Sequence, residues 1–92
     1  MNIVDVDATE RVLDKRASKH AVDLDEVIEV LLSQERRIFR ARQGSYLALG
    51  QTASGRYLAV FFYTEAVPGG VRAWIATARD MDAAERRRYS RR

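Results

Sequence analysis

The residues best suited to chemistry are a histidine, two arginines, a glutamate and a tyrosine. His20 is the only histidine in the chain, and imidazole is the side chain whose ordinary pKa suits proton transfer near neutral pH. Glu85 and Tyr89 are four residues apart, so on a helix they share one face. Arg86 adjoins Glu85, and Arg79 precedes this group. A carboxylate, an aromatic ring and guanidinium groups in this order suit the binding and deprotonation of a ribonucleotide.

Each of these residues also has a purely structural interpretation. His20 follows the end of a predicted helix, where the helix dipole favours a positive side chain. Glu85 stands three residues after Asp82 and completes a capping box at the start of another predicted helix. The arginines fit a solvated helix face, and no G-x-S-x-G sequence supports a serine-histidine-aspartate triad. The residues alone leave the structural and the catalytic interpretations open.

Two further groups of side chains favour structure over chemistry. Four acidic residues near the N-terminus carry the oxygen ligands that Mg²⁺ prefers. Two of them, however, are predicted helix caps, since Asp7 with Glu10 and Asp23 with Glu26 have the spacing of capping boxes. Four aromatic residues in predicted strands suggest a base-stacking platform, but the RNP-type sequence is missing, which favours a place in the core. The acidic group is Asp5, Asp7, Asp23 and Asp25, and the aromatic group is Tyr57, Phe61, Tyr63 and Trp74.

The basic residues are distributed unevenly along the chain. Residues 1–35 carry a net charge of −5, and residues 36–92 carry a net charge of +8. Fourteen of the sixteen basic residues are arginine, and five of these lie between Glu85 and the end of the sequence. The planar guanidinium group pairs with phosphate through two hydrogen bonds. An acidic first part and an arginine-rich second part therefore predict a nucleic acid or an acidic protein as partner.

The composition also excludes several classes of function. Cysteine is absent, which rules out disulfides, thiolate metal sites and a cysteine nucleophile. A single histidine argues against a conventional zinc site, and neither G-x-G-x-x-G nor G-x-x-x-x-G-K-[ST] occurs. We therefore predict that the protein uses no metal and no other cofactor.

Nothing in the sequence indicates a membrane or a secretory route. The longest apolar run covers residues 57–63, whereas a transmembrane helix needs about 20 such residues. Residues 1–7 contain two acidic residues and no basic one, so no secretory signal is visible. We expect a cytoplasmic protein that does not associate with membranes.

The elements that must position these residues follow from hydrophobic periodicity and from turn and capping signals. Short links between the later strands favour antiparallel pairing, and the loop at residues 65–70 is the only one rich in proline and glycine. The predicted order is a strand at residues 3–6, helices over residues 8–19 and from Asp23 onward, strands at residues 37–42, 46–50, 56–64 and 71–78, and a helix after Asp82.

We therefore predict an α+β fold in a single domain that spans residues 1–92. A short N-terminal strand precedes two helices, which pack on one face of an antiparallel four-stranded meander. The third strand of the meander is apolar on both faces, which is typical of a central strand. A short C-terminal helix carries the clustered arginines.

Three segments resemble the BrnT family of type II toxins. Lys19-His20-Ala21-Val22 followed by Asp25-Glu26 is similar to its "[KR]-H-G-V…E-E" segment. Tyr46 to Thr52 followed by Gly55-Arg56 is similar to its "Y-x-x-x-G-x-T…G-R" hairpin. Ala78-Arg79 with Glu85-Arg86 and Tyr89 is similar to its closing "A-R-x-x-x-x-x-E-R-x-x-Y". The resemblance covers nearly the whole chain in the same order.

The resemblance implies a ribonuclease toxin of RelE-like fold that inhibits translation. It also implies a ribbon-helix-helix antitoxin as partner, with a heterotetramer as one possible assembly, and RNA as substrate. Carried over residue by residue, it places His20, Arg79, Glu85, Arg86 and Tyr89 at the catalytic site. Lys19, Arg56, Arg87 and Arg88 become RNA-binding residues.

The chemistry implied by the resemblance needs no metal. A base takes the proton of a ribose 2′-hydroxyl, which attacks the adjacent phosphate, and arginines stabilise the charge on the phosphate oxygens. His20 or Glu85 is the base, and Tyr89 or an arginine protonates the leaving oxygen. Two alternatives remain: a module that binds RNA or protein without cutting, and an inactive toxin-like scaffold for the antitoxin.

Overall fold

The computed structural model describes residues 1–8 and 22–91, which form five β-strands and two α-helices. This α+β composition agrees with the prediction. A single turn of 3₁₀ helix, Arg42–Gly44, joins the second strand to the third. The strands are β1 (Ile3–Ala8), β2 (Arg37–Arg40), β3 (Tyr46–Gln51), β4 (Tyr57–Val67) and β5 (Gly70–Asp80), and the helices are α1 (Leu24–Leu32) and α2 (Ala83–Ser90).

All five strands belong to one mixed sheet, in the order β1-β5-β4-β3-β2. The strands β2 to β5 pair antiparallel through short links, and β4 is the central strand. β1 pairs in parallel with β5, with Ile3 opposite Val71. The prediction of a four-stranded sheet with a separate N-terminal strand is therefore wrong. Link lengths decide the pairing of consecutive strands, whereas β1 pairs with a strand far along the chain.

Helix α1 begins at the predicted capping box of Asp23 and Glu26, in which the Asp23 N–H donates to Oε1 of Glu26 at 3.2 Å. Its buried residues are Val27, Val30 and Leu31. They pack against the apolar face of the sheet, because apolar residues spaced three and four apart lie on one side of a helix. The predicted second helix is confirmed.

The close approach of α1 to the sheet depends on a glycine in β3. A β-carbon at Gly50 would lie 2.7 Å from Cγ1 of Val30, which is too short for two carbon atoms without movement. On the neighbouring strand β4, Leu58, Val60 and Phe62 are fully buried in the same layer. This face of the sheet therefore forms the main core.

Helix α2 packs on the opposite face of the sheet. Its predicted capping box is present, since the Glu85 N–H donates to Oδ1 of Asp82 at 2.8 Å and the Asp82 N–H donates to Oε1 of Glu85 at 2.9 Å. Tyr89 packs against a second apolar cluster, which contains Leu47, Leu49, Ala59 and Met81. The two helices therefore enclose the sheet from both sides.

The predicted loop at residues 65–70 is shorter in the structure. β4 continues to Val67, which pairs with Gly70 at the start of β5. Only Pro68 and Gly69 remain between the strands, and Gly69 has a φ of 88°. A positive φ at the second central position is what a type II turn requires, so this proline and glycine make a tight hairpin instead of a loop.

The predicted start of the first helix at residue 8 is also wrong, because Ala8 is the last residue of β1 and pairs with Ile75. Asp7, the predicted cap, lies within β1 opposite Trp74, and its Oδ1 accepts the Ala8 N–H at 2.8 Å. The rest of that predicted helix, residues 9–19, lies outside the described residues.

Candidate nucleic-acid interface

The sheet face that carries α2 is rich in aromatic side chains. Residues two apart in a strand point to the same face, which places Tyr57, Phe61 and Tyr63 of β4 on this side. Tyr57 and Phe61 pack in the cluster beneath α2, whereas Tyr63 is 44% exposed. Trp74 of β5 pairs with Tyr63 and is half-buried. Helix α2 thus covers only part of the face, and aromatic rings remain accessible beside it.

Arg79, near the end of β5, is held by Glu85 in the first turn of α2. Its Nη1 donates to Oε1 at 2.6 Å and its Nη2 to Oε2 at 2.9 Å, and Nη1 also donates to the carbonyl oxygen of Asp80 at 3.2 Å. The guanidinium carbon lies 5.5 Å from the ring centre of Phe61. The hydrogen bond to Glu85 raises the pKa of Arg79 above its usual range, so this side chain is a permanent cation.

The pairing with Glu85 leaves one edge of the Arg79 guanidinium unused. The carboxylate accepts one hydrogen bond from each terminal nitrogen, Nη1 and Nη2. The other edge of the group consists of the Nε–H and the second Nη2–H, and neither has a partner among the described residues. Two parallel donors of this kind match two phosphate oxygens. Glu85 itself accepts three hydrogen bonds, two from Arg79 and one from the Asp82 N–H.

Two tyrosines and an arginine meet beneath the middle of α2. The guanidinium carbon of Arg86 lies 4.2 Å from the ring centre of Tyr57. The Tyr57 ring meets Tyr89 edge-on, with 6.2 Å between ring centres. Arg86 forms no ion pair within residues 1–8 and 22–91. Its charge is therefore held in place by an aromatic face and remains available to an anion.

The far end of α2 is fixed over β2 by arginines and an aromatic ring. The guanidinium carbon of Arg88 lies 3.6 Å from the ring centre of Phe39, and that of Arg37 lies 5.8 Å from the same ring. Nη1 of Arg37 donates to the carbonyl oxygens of Arg88 and Tyr89 at 3.3 and 3.5 Å. A cation at the carboxyl end of a helix is favoured by the helix dipole, so Arg37 stabilises this end of α2.

Helix α2 separates two clefts. The first, which we call the face groove, lies on the open part of the sheet face and has a volume of ≈ 480 Å³. Three arginines and two aromatic rings are among its walls, and no carboxylate is. The lining residues are Arg40, Ala41, Arg42, Gln43, Ser45, Leu47, Phe61, Tyr63, Ala76 and Arg88.

The second cleft, which we call the end cleft, lies where β3 ends and β4 begins, and has a volume of ≈ 530 Å³. It is more mixed in charge, since Glu35 and Arg37 both line it. Tyr57 and Tyr89 also face this cleft, so the predicted residue Tyr89 is accessible from the side away from the face groove. The remaining lining residues are Gln34, Gln51 and Ser90.

The predicted RNA-binding residue Arg56 is engaged with carboxylates. Its Nη1 lies 3.2 Å from Oε1 of Glu26 in α1, and its Nε lies 2.8 Å from Oδ1 of Asp80 at the end of β5. The hydrogen bond with Asp80 raises the pKa of Arg56 above its usual range. Arg56 therefore joins α1 to the sheet, and a phosphate would have to compete with two anions for it.

The other predicted residues fall into two groups. Arg87 and Arg88 are exposed on α2, and neither forms an ion pair within the described part of the chain. Arg88 lines the face groove, whereas Arg87 lines neither cleft. The predicted catalytic residue His20 and the predicted RNA-binding residue Lys19 lie outside the described residues. The structure thus brings Arg79, Glu85, Arg86, Tyr89 and Arg88 together along α2.

Several residues of this surface are not among the predicted site residues. Arg40 is the last residue of β2, Arg42 begins the 3₁₀ turn that follows, and both line the face groove. The sequence pattern favours a core position for Phe61 and Tyr63. Their even spacing from Tyr57, at four and six residues, already places the three rings on one face of a strand. The signal that reveals them is the exposure of Tyr63, because a core ring is not expected to be 44% exposed.

Within residues 1–8 and 22–91, no group of three histidine, cysteine, aspartate or glutamate side chains is arranged to hold a metal ion. None of the helices in this part of the chain has the length and apolar character needed to cross a bilayer.

Comparison with known proteins identifies a related fold. No protein-family model matches the chain, and no curated protein matches it significantly in sequence. A 1.1 Å crystal structure of BrnT, a ribonuclease toxin from Brucella abortus, superimposes with a TM-score of 0.65 over 88% of this chain and 99% of that one. Sequence identity is 17%, so the likeness establishes a BrnT-like fold.

Proposed function

We propose that this protein is the ribonuclease toxin of a type II toxin-antitoxin pair, which acts in the cytoplasm and cleaves RNA without a metal. The observation that carries the proposal is the Arg79 fork, a two-donor edge that Glu85 orients beside the open aromatic face. The likeness in fold to a ribonuclease toxin supports the proposal, as does the sequence resemblance, which implies a RelE-like arrangement.

In the proposed reaction the scissile phosphate binds the free edge of Arg79. A base removes the proton of the adjacent ribose 2′-hydroxyl, whose oxygen then bonds to phosphorus while the bond to the 5′-oxygen breaks. The leaving 5′-oxygen takes a proton from Tyr89 or an arginine, so the products are a 2′,3′-cyclic phosphate and a 5′-hydroxyl. Charge stabilisation by a fixed donor such as Arg79 typically contributes about 10²–10³ in rate.

We assign Glu85 to orientation and His20 to the base. Three donors already occupy the two oxygens of Glu85, which leaves it poorly placed to accept another proton. General acid–base catalysis typically contributes about 10²–10⁴ in rate. The assignment predicts that His20→Gln removes the acidic limb of the pH–rate profile, whereas Glu85→Gln lowers the rate at every pH.

The proposed protein partner is a ribbon-helix-helix antitoxin, in a heterotetramer or a smaller complex. Its acidic segment would cover the surface from Arg79 to Arg88 and occupy the place of RNA. Association between such oppositely charged surfaces is faster at low salt. An association rate that does not change between low and high salt would contradict this mode of inhibition.

The decisive experiment is single-turnover cleavage of a short, 5′-labelled single-stranded RNA in EDTA. We expect wild-type protein to release a fragment ending in a 2′,3′-cyclic phosphate, and to leave intact the matching DNA, which has no 2′-hydroxyl. Induced alone in bacteria, the protein should slow growth and translation, and an antitoxin should relieve this effect.

Two alternatives have their own outcomes in the same assay. Protein that binds the RNA but leaves it intact is a non-catalytic binding module. Folded protein that neither binds nor cuts RNA, and does not slow growth, is an inactive scaffold for its antitoxin. Either outcome rejects the ribonuclease proposal.

A further inference from the structure

The face groove differs from the end cleft in the charge of its walls. Three of its lining residues, Arg40, Arg42 and Arg88, are arginines, and none of the others is acidic. None of the three forms an ion pair within residues 1–8 and 22–91. Arginine side chains that line one concave surface without carboxylates concentrate positive potential there, so the groove is suited to an anion.

The floor of the groove is aromatic as well as basic. Tyr63 is 44% exposed in the central strand of the sheet, and Phe61 lies two residues before it on the same face. Rings of this kind stack on the bases of single strands, because every base has a flat π-surface. A groove that recognised only an acidic protein segment would have no need of accessible ring faces.

The groove is continuous with the proposed reaction centre through Phe61. This ring lines the groove, and the guanidinium carbon of Arg79 lies 5.5 Å from its centre. A phosphate bound to the free edge of Arg79 would therefore lie beside the groove. Nucleotides next to that phosphate would extend across Tyr63 towards Arg40 and Arg42.

The turn between β2 and β3 shapes the outer wall of the groove. Gln43 has a φ of 57° and Gly44 a φ of 78°, and the Ala41 N–H donates to the carbonyl oxygen of Ser45 at 2.9 Å. This closed turn carries Arg40 and Arg42 at its start. The two arginines are thus held by a defined backbone conformation and not by a long loop.

From these observations we infer that the face groove binds a single-stranded segment of RNA next to the cleaved phosphate. One base stacks on Tyr63, and flanking phosphates pair with Arg40, Arg42 and Arg88. The inference rests on the proposed function for the identity of the ligand, but the binding that it describes does not depend on cleavage.

Binding is best measured with a ligand that cannot be cut. A fluorescein-labelled, 2′-fluoro-substituted octanucleotide keeps the backbone and bases of RNA and lacks the 2′-hydroxyl nucleophile. Fluorescence anisotropy should give a dissociation constant that rises roughly 5- to 150-fold in Tyr63→Leu, the range for loss of one stacked base. Tyr63→Phe should retain the wild-type affinity, because the ring face is kept.

The groove arginines are tested against a control variant that loses the same amount of positive charge elsewhere on the surface. Arg40→Gln and Arg42→Gln should each lower the slope of log K against log salt by about 0.7. Arg91→Gln removes one charge from an exposed residue that lines neither cleft, and it should leave affinity nearly unchanged. Thermal melting of each variant identifies any that fails to fold.

Three outcomes would overturn the inference. Affinity that is the same in wild type, Tyr63→Leu and Arg42→Gln would show that RNA binds elsewhere, even if the protein cleaves RNA. An equal loss of affinity for a poly-glutamate peptide and for the octanucleotide in Tyr63→Leu would indicate a site for an acidic protein, because the peptide has no base to stack on the ring. Stronger binding of duplex than of single-stranded RNA would exclude stacking, because the bases of a duplex are not accessible to the ring.

Discussion

The two faces of the sheet are built from different side chains, although β3, β4 and β5 supply both. On the side of α1, Leu58, Val60 and Phe62 are fully buried, and the layer is aliphatic apart from a few rings. On the side of α2, Tyr57, Phe61 and Tyr63 alternate with them and remain partly accessible. The difference shows that one strand can stabilise the fold with one half of its residues and leave the other half partly accessible at the surface.

The arginines around the second face also differ in whether they are paired with carboxylates. Arg72 is paired with Asp5 at 2.9 Å and with Glu65 at 3.1 Å, near the β1 side of the sheet. Arg40, Arg42 and Arg88 lie at the other side without carboxylate partners in the described residues. Exposed ion pairs contribute little to stability, whereas unpaired arginines in a groove remain free to bind phosphate.

The largest effect on stability is expected from Phe62→Ala. Truncation of a fully buried phenylalanine removes apolar packing and leaves a cavity, which costs about 3–5 kcal/mol. Phe61→Ala, one residue away on the other face, should cost clearly less, because Phe61 is only half-buried. Urea denaturation of both variants measures the difference, and equal losses would show that the two faces contribute alike.

The largest effect on activity is expected from Arg79→Ala. Loss of a fixed donor that stabilises the transition state should lower the single-turnover cleavage rate by about 10²–10³, with a smaller effect on RNA affinity. Arg79→Lys should not restore the rate, because an ammonium group has no two-donor fork.

Arg72→Ala is the matched control for Arg79, since both are sheet arginines paired with a carboxylate. Its cleavage rate should remain close to that of wild type. If Arg72→Ala and Arg79→Ala slow cleavage equally, the Arg79 fork has no special role, and general electrostatic attraction would explain the loss.

A smaller effect is expected from the arginines on the outer side of α2. Arg87→Ala and Arg88→Ala should weaken RNA binding and reduce the salt slope by about 0.7 to 1 for each phosphate that is no longer neutralised. The reduction in affinity should be greater for Arg88, which lines the face groove. Titrations at several salt concentrations measure both values, and a larger reduction for Arg87 would place the RNA outside the groove.

Local signals predict the elements along the chain well. Two of the three predicted capping boxes start helices where expected, at Asp23 and Asp82, because a cap is decided by residues three positions apart. The third is wrong, because Asp7 lies within β1. The parallel pairing of β1 with β5 escapes prediction because no short-range signal reports it. The hairpin at Pro68 and Gly69 resembles a loop in the sequence because turn residues do not reveal how far the flanking strands extend.

Part of the candidate site can also be predicted from the spacing of residues that lie close together in the sequence. Glu85 and Tyr89 lie on one helix, so their common face follows from their spacing. The bidentate pairing of Glu85 with Arg79 joins α2 to β5 and has no signal in the sequence. For Arg56, residue type alone predicts an RNA contact but not its pairing with carboxylates. Its partners Glu26 and Asp80 belong to two other elements, so no local pattern reveals them. His20 and Lys19 stay predictions.

The smallest effect concerns the paired arginine on the β1 side and depends on pH. The hydrogen bond from Arg72 lowers the pKa of Asp5 below its ordinary value of about 3.8. Since the folded pKa is the lower one, the pair stabilises the protein above the ordinary value, and the stabilisation is lost as the pH falls through the lowered pKa. Asp5→Asn should therefore melt slightly below wild type near pH 7, and the two melting temperatures should converge as the pH falls through the lowered pKa of Asp5. The difference should be small, because the Asp5 side chain is 53% exposed and solvent screens the pair. A melting difference that grows as the pH falls would contradict the assignment and would mean that the carboxylate is destabilised by folding.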